Sequence, residues 1–103
     1  MSGRVMEFAP FQLKPDVSEG TLLVAATKMQ ERFLKQQPGY LYREVMRGCD
    51  GGYVDVIWWR SHADAAAAMP KVHASRDCLE YFEHMQIDVA NAGTSVLHFE
   101  QLR

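Results

Sequence analysis

Apolar residues recur along this chain at two spacings, one typical of helices and one typical of strands. The helical spacing runs through residues 22–34, where the apolar stripe consists of Leu22, Ala25, Ala26, Met29 and Phe33, with Leu23 and Leu34 beside it. Asp16 or Ser18 can cap this helix, and Pro38-Gly39 ends it. Before the helix, Arg4 to Leu13 predicts a strand, in which Pro10 requires an edge or a bulge because proline donates no backbone hydrogen bond.

The middle of the chain predicts a β-hairpin. Tyr40 to Arg47 and Tyr53 to Arg60 are rich in β-prone residues, and the glycine-rich segment 48–52 suits a tight turn. The second strand has two unlike faces, with Val54, Val56 and Trp58 on one and Tyr53, Asp55, Ile57 and Trp59 on the other. We expect the wholly apolar face to pack under helices and the mixed face to be covered by a less apolar partner.

Two helical segments and one more strand follow the hairpin. Ser61 predicts an N-cap for an alanine-rich helix that Pro70 kinks or interrupts, and Ser75 can cap a further helix. Residues 91–93 predict a loop, and about Thr94 to Gln101 predicts the last strand, with Leu97 and Phe99 on one face and His98 and Glu100 on the other. The order β-α-β-β-α-α-β predicts an α+β, ferredoxin-like fold, in which one antiparallel sheet carries its helices on one face.

Composition narrows the class of protein. The 103 residues predict a single domain spanning 1–103, and 48% hydrophobic with 23% charged residues is ordinary for a globular chain. The net charge of -2 gives no reason to expect nucleic acid as a partner, and no segment has the roughly 20 apolar residues of a membrane helix. Cys49 and Cys78 lack metal-binding spacing, so we expect no metal and two free thiols in a reducing cytoplasm. No cofactor-binding motif is present, and we expect no cofactor.

Four segments carry a resemblance to a known family: FQLKPDVSEG, QQPGYLYREV, DGGYVDVIWWRSHADA and VLHFEQL. The family's hairpin pattern, Pro-Gly-aromatic and then an apolar strand ending in Trp-x-Ser, is met by Pro38, Gly39, Tyr40, Trp59 and Ser61. In these features the chain resembles the antibiotic-biosynthesis-monooxygenase-like group of the dimeric α/β-barrel superfamily. The resemblance implies a homodimer in which two sheets pack face to face, with a pocket between the sheet and the helices of each protomer.

Two histidines are candidate catalytic residues. His98, on the last strand, can pair with a carboxylate such as Asp55 or Glu7 and act as an acid–base group. A structural hydrogen bond across the barrel or the dimer interface is the alternative for His98. His73 can act in a pocket, but the resemblance implies a pocket histidine earlier in the second helix, so an exposed helix end is the alternative for His73.

The hairpin supplies the candidate substrate-binding residues. Arg43 and Asp55 can bind a carboxylated or phenolic ligand, or can form an ion pair that pins the hairpin or the dimer. Trp59 and Tyr42 can stack on an aromatic ligand, or can serve only core and interface packing.

Two functions follow from these residues, and they belong to different classes. The resemblance implies a cofactor-independent monooxygenase for a small aromatic or polyketide-like substrate, with Trp59 shaping the site and His98 or His73 as the base. The alternative is a non-catalytic dimeric barrel that binds a small apolar ligand or has a structural or accessory role. Haem degradation fits least, because the resemblance would require Asn on the first strand, where Glu7 stands. A pocket between sheet and helices lined by a histidine and an aromatic residue favours the enzyme, whereas a space filled by Met29, Phe33, Leu79 and Phe82 favours the alternative.

Overall fold

The strands and helices follow the predicted order. The structure, a computed structural model, describes residues 3–86 and 96–103. Its elements are β1 (Val5–Leu13), α1 (Glu19–Arg32), a 3₁₀ turn (Leu34–Gln36), β2 (Tyr40–Arg47), β3 (Tyr53–Trp59), α2 (His62–Val72), α3 (Arg76–Glu83), β4 (Met85–Gln86) and β5 (Leu97–Glu100). The pattern does not predict the 3₁₀ turn or the two-residue β4. The predicted loop at 91–93 and the first residues of the last predicted strand lie outside the described residues.

Serine side chains mark where the helices begin. Ser18 Oγ accepts a hydrogen bond from the backbone N–H of Thr21 at 3.1 Å, so Ser18 rather than Asp16 is the N-cap of α1. Ser61 and Ser75 cap α2 and α3 in the same way. Each cap gives a hydrogen-bond partner to an N–H that the helix itself cannot satisfy.

One antiparallel sheet contains the described strands. β3 lies between β2 and β1, and the other side of β1 pairs with β5 opposite Val5–Phe8 and with β4 opposite Gln12–Leu13. In the hairpin turn Gly51 has a φ of +95°, which glycine adopts without steric strain. None of the described helices is long and apolar enough to cross a membrane.

Two prolines test the predicted interruptions. Pro10 lies opposite Val54 in an interior strand, not on an edge strand, but its other side falls between the segments that pair with β5 and with β4. The described ladder is interrupted there, which is where a residue without an N–H is tolerated. Pro70 lies inside α2, and the helix continues to Val72, so of the two predicted effects Pro70 does not interrupt the helix. Pro70 is in the last turn of α2, where few backbone hydrogen bonds depend on it.

The mixed face of β3 meets the helices, and the prediction that its apolar face does so is wrong. Ile57 and Trp59 are buried in one cluster with Leu22, Ala25, Ala26 and Met29 of α1, Ala65 and Ala68 of α2, and Cys78 and Tyr81 of α3. By strand alternation and register, the opposite face carries the apolar residues Val54, Val56, Trp58, Met6, Phe8, Tyr42, Met46, Leu97 and Phe99, together with the exposed carboxylate of Glu44. We call this second set of residues the open face.

A buried ion pair explains why the face with a carboxylate lies under the helices. Arg43 donates to Asp55 through two hydrogen bonds, Nε to Oδ1 at 2.8 Å and Nη2 to Oδ2 at 2.9 Å. The Tyr81 hydroxyl donates to Asp55 Oδ2 at 2.8 Å, and Arg43 Nη1 donates to the carbonyl of Ala26 at 2.8 Å. The network ties β2 and β3 to α1 and α3, and within the described residues every buried side-chain N or O atom has a partner. This charge neutralisation and hydrogen bonding make burial of the carboxylate tolerable.

We predict that Arg43→Met lowers the free energy of unfolding by about 3–5 kcal/mol, because Asp55 is left buried without its counter-ion. Arg47→Met is the matched control: Arg47 is on the same strand and face but binds Glu19 with a side chain that is 65% exposed. Arg47→Met should lower the free energy of unfolding by no more than ~1 kcal/mol. Urea denaturation measures both variants, and equal losses would contradict a special role for the buried pair.

Candidate functional site

Three polar side chains meet on the helix-covered face where β5 pairs with β1. Glu7 lies directly opposite His98 in the β1–β5 pair and opposite Ile57 in the β1–β3 pair. Because directly opposite residues of an antiparallel pair share a face, register alone brings Glu7 and His98 together. Trp59, two residues beyond Ile57, donates from Nε1 to Glu7 Oε1 at 3.2 Å, and His98 Nε2 lies 3.7 Å from the same oxygen.

A second histidine extends this group towards solvent. α2 begins at His62, directly after its Ser61 cap, and the ring of His62 meets the ring of His98 edge to face with centroids 5.8 Å apart. His62 is exposed, the His98 side chain is 31% exposed and the Glu7 side chain 13%, whereas Trp59 is 2% exposed. We call these four residues the Glu7 cluster.

Burial changes the proton affinity of both members of the Glu7–His98 pair. It raises the pKa of Glu7, the nearby Asp55 carboxylate adds to the rise, and the hydrogen bond from Trp59 opposes it. Burial lowers the pKa of His98, and the neighbouring His62 lowers it further. The raised pKa of Glu7 and the lowered pKa of His98 each favour the uncharged form of the group. A neutral imidazole is the form that accepts a proton, as a general base must.

The candidate catalytic histidines lie at different places. Of the two carboxylates named as possible partners of His98, Glu7 is the one beside it, whereas Asp55 binds Arg43 and Tyr81. His73 is exposed at the C-terminal end of α2, and His62 is at the N-terminal end. At 1.5 Å per residue, the intervening 11-residue helix separates the two ends by about 16 Å.

The four candidate substrate-binding residues are likewise not brought to one place. Trp59 belongs to the Glu7 cluster. Arg43 and Asp55 are bound to each other, with side-chain exposures of 2% and 6%, which favours the ion pair that pins the hairpin. Tyr42 is on the open face, stacked on Trp58 with ring centroids 6.1 Å apart, and therefore on the opposite side of the sheet from Trp59.

The space between the sheet and α1 is filled by side chains. Met29 and Phe33 are buried in the core, as the non-catalytic alternative requires, but Leu79 is 44% exposed and Phe82 is only partly buried. The Glu7 cluster therefore lies beside this packed core, between β5 and the start of α2. Within the described residues, no group of three or more His, Cys, Asp or Glu side chains is arranged to hold a metal ion. Cys49 and Cys78 are free thiols, as predicted.

The sequence indicated Glu7 only as one possible partner of His98, and it did not mark His62 as a candidate functional residue. The register of β1 against β5 places Glu7 opposite His98, and no local pattern in either strand specifies it. A weak signal for His62 was available, since Ser61 fixes it as the first residue of a helix that directly follows Trp59.

The fold has clear counterparts among solved structures. A predicted monooxygenase from Shewanella loihica PV-4 is similar with a TM-score of 0.64 and 23% identity, over 100% of this chain and 98% of that one. SnoaB, a cofactor-independent oxygenase from Streptomyces nogalater, is similar with a TM-score of 0.58 and 15% identity, over 96% of this chain and 89% of that one. A predicted antibiotic biosynthesis monooxygenase from Bordetella bronchiseptica is similar with a TM-score of 0.67 and 15% identity, over 98% of this chain and 99% of that one. The fold is that of the antibiotic biosynthesis monooxygenases.

The antibiotic biosynthesis monooxygenase fold confirms the predicted ferredoxin-like arrangement of this chain. No family sequence profile and no curated protein sequence matches it. Because identities of 15–23% show the fold alone, residue roles have to come from this chain's own geometry. That geometry points to the Glu7 cluster.

The raised pKa of Glu7 predicts a specific pH dependence of stability. Between pH 4.5 and its raised pKa, the folded chain holds a proton that the unfolded chain has lost, so Glu7 makes the free energy of unfolding fall as pH rises. In Glu7→Gln the Trp59 hydrogen bond retains an acceptor, and this fall should disappear. His98 acts with the opposite sign, because its lowered pKa makes stability rise with pH up to 6.5, so wild type and variant are compared at each pH.

Urea denaturation across this pH range measures the difference between wild type and Glu7→Gln. Glu80→Gln, on the exposed side of α3, is the control and should leave the pH dependence unchanged. A difference between wild type and Glu7→Gln that stays constant with pH would show that Glu7 titrates as it does in the unfolded chain.

Proposed function

We propose that this protein is a cofactor-independent oxygenase that ionises a small phenolic or polyketide-like aromatic substrate and lets it react with dioxygen. The Glu7 cluster supports the proposal: an imidazole and a carboxyl lie 3.7 Å apart beside an indole, at the margin of the core. A cofactor-independent oxygenase, SnoaB, is among the proteins that share the fold.

His98 is the base in this proposal. Its neutral imidazole accepts the proton of a substrate hydroxyl and becomes an imidazolium ion. The Glu7 carboxylate, 3.7 Å from His98 Nε2, then stabilises that positive charge, while Trp59 Nε1 holds the carboxylate in place. A base positioned in this way contributes about 10²–10⁴ to a proton-transfer rate.

The electron-rich anion supplies the electrons for the oxygen chemistry. One electron passes from the anion to dioxygen, and the resulting radicals combine to form a carbon–oxygen bond in a peroxide. The peroxide anion takes up a proton, and loss of water from the resulting hydroperoxide leaves a carbonyl. In a substrate such as an anthrone, the ring CH₂ group thus loses four electrons to become C=O, and dioxygen gains four, with one oxygen atom retained in the product and one released as water.

The remaining predicted residues receive other roles. We assign Arg43 and Asp55 to stability, because each is already fully engaged by the other and by Tyr81 or Ala26. We assign no substrate contact to Tyr42, which lies on the open face. His73 is the weaker candidate base, because it is exposed at the C-terminal end of α2, the opposite end of that helix from His62.

A non-catalytic dimeric barrel that binds a small apolar ligand is the second candidate function. The observation in its favour is the filled space under α1, where Met29 and Phe33 are buried. In that case the Glu7–His98 contact is a structural pair across neighbouring strands.

We also propose that the open face is the interface of a homodimer. Four of its large apolar side chains are conspicuously exposed, namely Tyr42 at 47%, Met46 at 43%, Leu97 at 48% and Phe99 at 49%. Glu44 lies on the same face, between Tyr42 and Met46, and the side chains around it are mainly apolar. An exposed surface that is largely apolar marks an interaction site, and two such faces match each other in the sheet-to-sheet packing that the resemblance implies.

The oxygenase is tested by dioxygen uptake with a panel of hydroquinones and anthrones. Wild type should consume dioxygen with at least one of them, and His98→Gln should lower the rate by about 10²-fold or more. His73→Gln should keep the wild-type rate, which separates the two candidate bases. If no compound is oxidised, the binding function is favoured, and an unchanged rate in His98→Gln would remove His98 from the mechanism.

The dimer is tested by light scattering at micromolar concentration. Wild type should have twice the monomer mass of 11.7 kDa, and Phe99→Glu should shift the protein towards monomer because a carboxylate would be buried between the sheets. Val24→Glu is the matched control, since Val24 is 60% exposed on α1, away from the open face. A monomeric wild type, or the same mass change in both variants, would contradict the proposed interface.

A further inference from the structure

His62 is the one member of the Glu7 cluster to which the proposed chemistry gives no task. His62 and His98 are both exposed residues, and the side chains of His98 and Glu7 are 31% and 13% exposed. The His62 and His98 rings are 5.8 Å apart between centroids, with planes at 78°. The cluster therefore forms a line of proton-accepting groups that leads from solvent to the helix-covered face.

A base that takes a proton in every turnover has to release it before the next one. Among the described residues, the titratable groups facing His98 are Glu7 on β1, His62 on α2 and, on the same face of β5, Glu100. Of these, His62 is an exposed imidazole, and its ring is in contact with that of His98. It begins α2, so the helix cap at Ser61 holds it beside His98.

We propose that His62 is a relay residue that carries protons between His98 and solvent. The inference rests on the proposed function, because the relay serves His98 in its role as base. The His98 imidazolium gives its proton to the neutral imidazole of His62, directly or through one water, and His62 then gives a proton to water or buffer. Only N–H and O–H bonds form and break, so no oxidant or reductant is required. Since two adjacent imidazolium ions repel each other, a new proton on His98 favours release of the proton on His62.

The first test follows the histidine ring signals by NMR as pH is varied, with no substrate present and a chelator in all buffers. His62 lowers the pKa of His98, so His62→Gln should raise the pKa of His98. The control is His84→Gln, at the end of α3, which should leave the pKa of His98 unchanged. An unchanged pKa of His98 in His62→Gln would overturn the relay whether or not the protein is an oxygenase.

The second test measures how fast the His98 ring exchanges protons with solvent, from the NMR line shape at low buffer concentration. His62→Gln should slow this exchange on the order of tenfold to a hundredfold, the lower end of what a positioned acid–base group supplies. Added imidazole should restore the rate, because it substitutes for the missing ring. Unchanged exchange, or a slow exchange that imidazole does not restore, would overturn the relay and leave His62 with a structural contact only.

Dioxygen uptake separates failure of the relay from failure of the proposed function. If wild type oxidises a substrate, His62→Gln should slow turnover at low buffer concentration, with recovery on adding imidazole. Equal turnover of the two proteins at every buffer concentration would overturn the relay while the oxygenase stands. If wild type oxidises no substrate but His62→Gln still slows proton exchange at His98, the oxygenase fails and the proton path remains.

Discussion

The bidentate ion pair between Arg43 and Asp55 is the interaction on which the rest of the structure depends. It allows β3 to bury a carboxylate under the helices, with the Tyr81 hydroxyl as a further donor. Once Asp55 faces the helices, alternation places Trp59 on the same side, and antiparallel pairing places Glu7 there as well. The same arrangement leaves the wholly apolar face of β3 outside, where we propose that a second protomer packs.

Local signals predicted the elements well, because each depends on residues close together in sequence. The hairpin strands, the Ser18 cap and the apolar stripe of α1 are all specified within a few residues. The orientation of β3 was predicted wrongly because an acidic residue on a strand indicates the less buried face. Asp55 reverses that rule only in combination with Arg43, on the neighbouring strand, and Tyr81, on a distant helix. A buried charge whose partners are distant in sequence is therefore predicted to be exposed, because its own segment contains no residue that could neutralise it.

The candidate site could be predicted only in part for the same reason. His98 and the possibility of a Glu7 partner were visible, since both lie on predicted strands, but Asp55 was an equally good partner until the strand register was known. His62 has no polar partner in its own segment that indicates a role, and its position beside His98 depends on how α2 packs on the sheet. Residues whose roles depend on tertiary neighbours are difficult to predict from a single sequence.

Removal of a proton from a bound phenol is the step on which the proposed activity depends, and a chromogenic phenol can report it directly. The ionised form of para-nitrophenol absorbs at longer wavelength than the neutral form, so its spectrum on the protein shows its protonation state. At a pH below its own pKa, it should bind to wild type as the phenolate and to His98→Gln as the neutral phenol. Neutral phenol on wild type, or equal ionisation on both proteins, would contradict proton abstraction by the Glu7 cluster.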